Sequence, residues 1–97
     1  NLGRLLHAAG KLVEAETLYR AALEQNPKSV IAAFNLGVVL EDQGKPEDAA
    51  GAYRKVLAID ERYADAHYNL SRLLEAKGDA RGALRHLNSF RRLMQND

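Results

Sequence analysis

The sequence predicts an all-α protein: an α-solenoid of antiparallel helix pairs, about three units long with the first truncated. Three observations predict it. Equivalent residues recur at a fixed step of 34 positions, as in Asn1, Asn35 and Asn69, in Leu2, Leu36 and Leu70, and in Ala15, Ala49 and Ala83. A constant period of this length marks a run of like supersecondary units, each burying one face on its neighbour. Within a unit the apolar residues lie three and four apart, as in Ala33, Leu36, Gly37 and Leu40 and again in Ala49, Ala52, Tyr53, Val56 and Leu57. That spacing puts them on one side of a helix. Single glycines, Gly10, Gly44 and Gly78, keep the same step and divide each unit in two, because glycine takes the left-handed conformation that closes a helix.

Six helices follow in order, over 1–9, 12–26, 30–43, 46–59, 64–77 and 80–95, in copies spanning 1–29, 30–63 and 64–97. Asn1 aligns with the sixth position of the later copies, so the first helix reads as lacking its opening turn and the chain as a fragment of a longer protein. Pro27 breaks the chain after the first copy, and Asp60 can cap the corresponding turn after the second, where Pro is absent. Pro46 suits the first position of its helix, where a missing N–H costs nothing. Asp79 is a fitting N-cap for the last helix. Small residues recur where helices must approach closely: Gly3, Gly37 and Ser71 at one register, Ala15, Ala49 and Ala83 at another. Tyr19, Tyr53 and Leu87 are their large partners.

This pattern resembles the tetratricopeptide repeat, roughly W-x2-L-G-x2-Y, then A-x3-F, then P over 34 residues. The second copy gives Ala33 at the Trp place, then Leu36-Gly37, Leu40, Ala49, Tyr53 and Val56. The first gives Leu2-Gly3, Leu6, Ala15, Tyr19 and Pro27, and the third His67, Leu70-Ser71, Leu74, Ala83, Leu87 and Phe90. The resemblance covers the whole chain. It implies a right-handed superhelix in which the first helix of each pair lines the concave side. Phe90 and Arg91 depart from the family pattern, which wants a small residue at the first of these places, so the third copy reads as the end of the stack or its junction with something other than a standard repeat.

Composition narrows the function. The 97 residues are 46% hydrophobic and 28% charged, with formal net charge +1. A near-neutral chain is not the basic footprint of a nucleic-acid-binding domain. The apolar runs are far too short for membrane insertion. The absence of cysteine rules out disulfides and thiolate metal sites and fits a cytoplasmic protein. No catalytic constellation or cofactor-binding motif appears. His7, His67 and His86 share no metal-ligand spacing, and the glycines are single and periodic, unlike a phosphate-binding loop.

What is left for function keeps the 34-residue step on the first helices. Asn1, Asn35 and Asn69 form a ladder of amides that donate and accept and so can pair with a peptide backbone; in superhelical tetratricopeptide domains a matching Asn series does this. The same series also reads as surface decoration copied by duplication. Phe34 and Tyr68 lie beside it and could anchor a partner or cover the neighbouring helix pair. Arg4, Val38 and Arg72 form a further row, and His7, Glu41 and Glu75 a fourth. Arg72 and Glu75 are three residues apart, which is pairing distance on a helix. The clamp by which some tetratricopeptide co-chaperones hold a terminal carboxylate is not matched. Asn35 fits its central Asn, but Arg4 replaces an Asn, and Asp65 and Asn69 stand where Lys and Arg are needed.

The sequence therefore points to a non-catalytic scaffold that holds an extended or helical segment of a protein or peptide partner in its groove, through Asn35, Asn69, Phe34, Tyr68, Arg72 and Arg4. Two alternatives stand beside it. One is an accessory, substrate-recruiting segment of a larger enzyme, for which the resemblance offers Asn-lined glycosyltransferases. The other is a homo-oligomer assembled through the ends of the stack.

Overall fold

A computed structural model describes residues 3–5 and 10–95. Gly3–Leu5 are helical, and the rest of the first expected helix lies outside the described residues. Five further helices follow: α1 (Leu12–Gln25), α2 (Val30–Asp42), α3 (Pro46–Ile59), α4 (Ala64–Lys77) and α5 (Ala80–Gln95). There is no strand among the described residues. Each helix packs chiefly on the ones before and after it in the chain, as expected of a right-handed stack of antiparallel pairs whose units touch only neighbours.

The helix ends follow from local chemistry. Gly44 and Gly78 take positive φ, +77° and +98°, and the residue after each returns its N–H to the carbonyl five positions back. Lys45 donates to Leu40 at 2.9 Å and Asp79 to Leu74 at 2.8 Å. This closes α2 and α4 by the six-to-one bond that only a left-handed residue permits at low cost. Pro46 opens α3 as expected. The Asp79 carboxylate accepts the Gly82 N–H at 2.9 Å, and the Ser29 hydroxyl accepts that of Ala32 at 3.2 Å. Between hairpins the same turn is built twice: Asn26 accepts from the Lys28 N–H at 3.2 Å and Asp60 from that of Arg62 at 3.0 Å. The second turn thus folds without the proline of the first.

In the first two units the expected small and large partners meet. Ala15, Ala49, Leu70 and Leu40 are essentially inaccessible, as are Tyr53 and Val56. Burial of one such large side chain contributes about 1.5–3 kcal/mol. A methyl group added to Gly37 would lie 2.5 Å from Tyr53 Cε1, and one added to Gly3 would lie 2.7 Å from Tyr19 Cε1. The tyrosine ring therefore packs directly on the backbone of the preceding helix. Ala33 and His67, at the Trp place, are both buried.

Candidate functional site

The first helices of the second and third units, α2 and α4, present one face together, and most of the expected residues lie on it. Its centre is a hydrogen-bonded network. The Tyr53 hydroxyl, carried up from α3, donates to Glu41 Oε2 at 2.7 Å. The Asn69 amide donates to that hydroxyl at 3.3 Å. Arg72 Nη2 donates to both Glu41 oxygens, at 3.1 and 3.2 Å. One carboxylate from α2 thus holds an arginine from α4 and the tyrosine between them. Burial of the phenol pushes its pKa well above the ordinary range, and the bond to Glu41 pushes it further. Tyr53 is therefore a fixed donor at any physiological pH.

This network corrects one expectation. Arg72 pairs with Glu41 across the helix junction and not with Glu75 on its own helix. Glu41 is the better partner because its oxygens are already oriented by Tyr53. The pair also fixes Arg72 beside Tyr68, with the guanidinium carbon 5.8 Å from the ring centroid. Tyr68 is 42% exposed and packs on Phe90 of α5 with the rings tilted at 47° and centroids 5.1 Å apart.

The other expected residues divide. Asn35 is half-buried on α2, and its side chain makes no hydrogen bond to the described residues, unlike its repeat-mate Asn69. Phe34 is half-buried between the rings of Tyr53 and Tyr63, at 5.6 and 5.1 Å, so much of its surface joins α2 to α3 and the start of α4. Arg4 is exposed, and its charge acts on Tyr19, opposing the rise that burial causes in that phenol's pKa. The buried Tyr19 hydroxyl has no hydrogen-bond partner among the described residues. Asn1 and His7 lie outside them.

Two features were not anticipated. Tyr53 was read as packing alone, yet its hydroxyl organises the face. His67 and His86, 19 positions apart, meet with Nδ1 atoms 3.0 Å from each other, while His67 Nε2 lies 2.8 Å from the Glu61 carbonyl oxygen. A carbonyl only accepts, so His67 carries its proton on Nε2 and its Nδ1 accepts from His86 Nδ1–H. A signal existed: His86 stands one period after Ala52, which is buried, so an interior position could have been inferred for it. Among the described residues no group of three or more His, Cys, Asp or Glu side chains could hold a metal. No helix among the described residues is long and apolar enough to cross a membrane.

Comparison with known proteins agrees with this geometry. Two family profiles, each described as a tetratricopeptide repeat, match residues 1–64 and 40–97. No curated protein sequence matches the chain. Among solved structures, the crystal structure of MamA superposes with a TM-score of 0.95 at 21% identity, over 98% of this chain and 56% of that one. The type III secretion translocator chaperone SycD of Yersinia enterocolitica gives 0.93 at 19% identity, over 99% and 66%. PcrH, solved in complex with the chaperone-binding region of PopD, gives 0.92 at 22%, over 99% and 72%. The chain spans little more than half the length of MamA. At these identities the likeness is one of fold, while the profile matches cover more than half of the chain and decide its kinship: the protein belongs to the tetratricopeptide repeat family.

Proposed function

We propose that the α2–α4 face is the inner, partner-binding surface of a non-catalytic scaffold, which holds an extended or helical segment of another protein. The observation that carries this is the contrast between the two asparagines. Asn69 is committed to Tyr53, whereas Asn35, half-buried on α2, makes no side-chain hydrogen bond to the described residues, and the same two helices carry the linked row of Glu41, Arg72 and Tyr68. A partly desolvated amide gains from a partner that both donates and accepts, which a peptide backbone does. Tyr68 supplies exposed aromatic area on α4, and Arg72, steadied by Glu41, adds a positive group beside it. PcrH, of the same fold, is a protein solved with a segment of another protein, which supports the class of partner and not its identity.

The test is binding of a peptide selected from an unbiased extended-peptide library. Asn35→Ala should keep the helical circular dichroism signal and weaken binding about two- to tenfold, the worth of one net hydrogen bond. The Asn35→Ala, Asn69→Ala double variant should lose more. Unchanged affinity in the double variant would remove the asparagines from the site.

A further inference from the structure

His67 and His86 meet at the α4–α5 junction with one proton between them. His67 is buried, and both of its ring nitrogens are engaged. Its Nε2–H donates to the Glu61 carbonyl at 2.8 Å, and its Nδ1 accepts from His86 Nδ1–H at 3.0 Å. His86 is half-buried. One turn further along α5, Phe90 packs on Tyr68, the residue that follows His67 on α4. Two helices are thus joined at adjacent positions by a polar contact that protons can change and by an aromatic contact that involves the exposed ring of Tyr68.

The pair treats a first and a second proton differently. The first enters at His86 Nε2, the ring nitrogen that the contact leaves out. His86 becomes an imidazolium while its Nδ1–H still points at His67, so the hydrogen bond persists and becomes charge-assisted. A second proton has only His67 Nδ1 to occupy, where its N–H would meet the His86 N–H head-on. Two donors with like charge cannot share that contact, so the rings must part. Little around them favours the added charge. Burial, then His67, Arg85 and Arg54, act against positive charge at His86, and Asp79 acts for it, although the Asp79 carboxylate already accepts the Gly82 N–H. Arg62 and Arg92 line the hollow beside His67 with Glu61. We infer that the His67–His86 pair is an acid-operated latch: one added proton leaves the α4–α5 junction closed, and a second opens it and withdraws Phe90 from Tyr68. The latch needs nothing of the partner-binding reading; only its consequence for binding, through the surface around Tyr68, rests on that reading.

The test is NMR of the protein without ligand, from about pH 7.5 to about pH 4.5, across the ordinary histidine range. It follows the imidazole nitrogens, the ring protons of Tyr68 and Phe90, and amide exchange. The two rings should titrate in two separate steps of the pair. Through the first, the Tyr68 and Phe90 shifts should hold constant. Through the second they should move together, and the protection of α5 amides, corrected for the intrinsic pH dependence of exchange, should fall at least about tenfold while α1 to α3 keep theirs. In His86→Gln the side-chain amide donates to neutral His67 and, turned over, accepts from protonated His67, so both contacts should persist through the whole range. Independent titration of the two rings with flat Tyr68 and Phe90 shifts would overturn the inference, as would the same Tyr68 movement in His86→Gln. Loss of protection in every helix at once would overturn it in favour of global acid unfolding. Where His86→Gln does not fold, the wild-type titration decides by itself.

Discussion

Gly37→Ala and Gly51→Ala are the same chemical change in consecutive helices, and the structure assigns them opposite signs. Replacing an unstrained helical glycine with alanine stabilises by about 0.5–1 kcal/mol, through backbone entropy and helix propensity. At Gly51 on α3 nothing lies within 4 Å of the added methyl, so this gain is realised in full. At Gly37 on α2 the methyl meets Tyr53 Cε1, Cδ1 and Cζ at 2.5, 2.8 and 2.9 Å. The ring cannot yield cheaply: it is fully buried and packs beside Phe34. Overpacking of this kind costs about 1–3 kcal/mol. Tilting the ring also loosens the hydroxyl bond to the Glu41 carboxylate, and a hydrogen bond to a charged group contributes about 1.5–3 kcal/mol. Against the propensity gain, Gly37→Ala should destabilise by about 2–4 kcal/mol. For a chain of this length that lowers the melting temperature by about 10 °C or more, whereas Gly51→Ala raises it by about 3–6 °C. Thermal melts followed by circular dichroism at 222 nm decide it. A Gly37→Ala protein that melts at or above wild type would refute the close approach of Tyr53 to the α2 backbone.

Three further outcomes follow from the same geometry. Tyr53→Phe should cost about 1–2 kcal/mol in urea denaturation, because Glu41 loses a buried donor and Asn69 an acceptor. A double-mutant cycle on Glu41→Gln and Arg72→Gln should give a coupling of about 0.5–1 kcal/mol that shrinks with added salt, since the arginine is half in solvent. Stability should fall as pH drops through and below the ordinary histidine value of about 6.5. Burial holds the His86 pKa down first, helped by the neighbouring His67, Arg85 and Arg54 charges and opposed by Asp79. The folded state therefore binds fewer protons there than the unfolded chain, so its full stability is present above the unfolded pKa and is lost on acidification. His86→Asn should flatten that slope in a pH series of urea midpoints, and an unchanged slope would assign the effect elsewhere.

The stack was legible because its causes are local and repeated. The positive-φ glycines, Pro46 at the start of α3 and the Asp79 cap each act within a few residues, and the 34-residue step shows the glycines three times. α3, α4 and α5 match the expected bounds, while α1 and α2 end one residue sooner than expected. Asn26 and Gln43 sit there as C-caps, each still donating its N–H to the carbonyl four residues back, that of Ala22 and of Val39. The contacts that shape the candidate site were less legible, because they join side chains 12 to 31 positions apart on different helices. Glu75 is near Arg72 in sequence, but Glu41 wins because Tyr53 orients its carboxylate. His67 and His86 meet only because α4 and α5 turn buried faces to one another. The repeat itself hid the difference between Asn35 and Asn69: the same residue at the same register bonds Tyr53 in one unit, while in the other it makes no side-chain hydrogen bond to the described residues, although Tyr19 holds the register of Tyr53.

The central claim, that the α2–α4 face receives the partner, is tested most directly by amide NMR during titration with a library-selected peptide. The shifts should map to α2 and α4, around Asn35, Val38, Tyr68 and Arg72, and should diminish in the Asn35→Ala, Asn69→Ala protein. Shifts confined to α1 and α3, with the α2–α4 face silent, would contradict it.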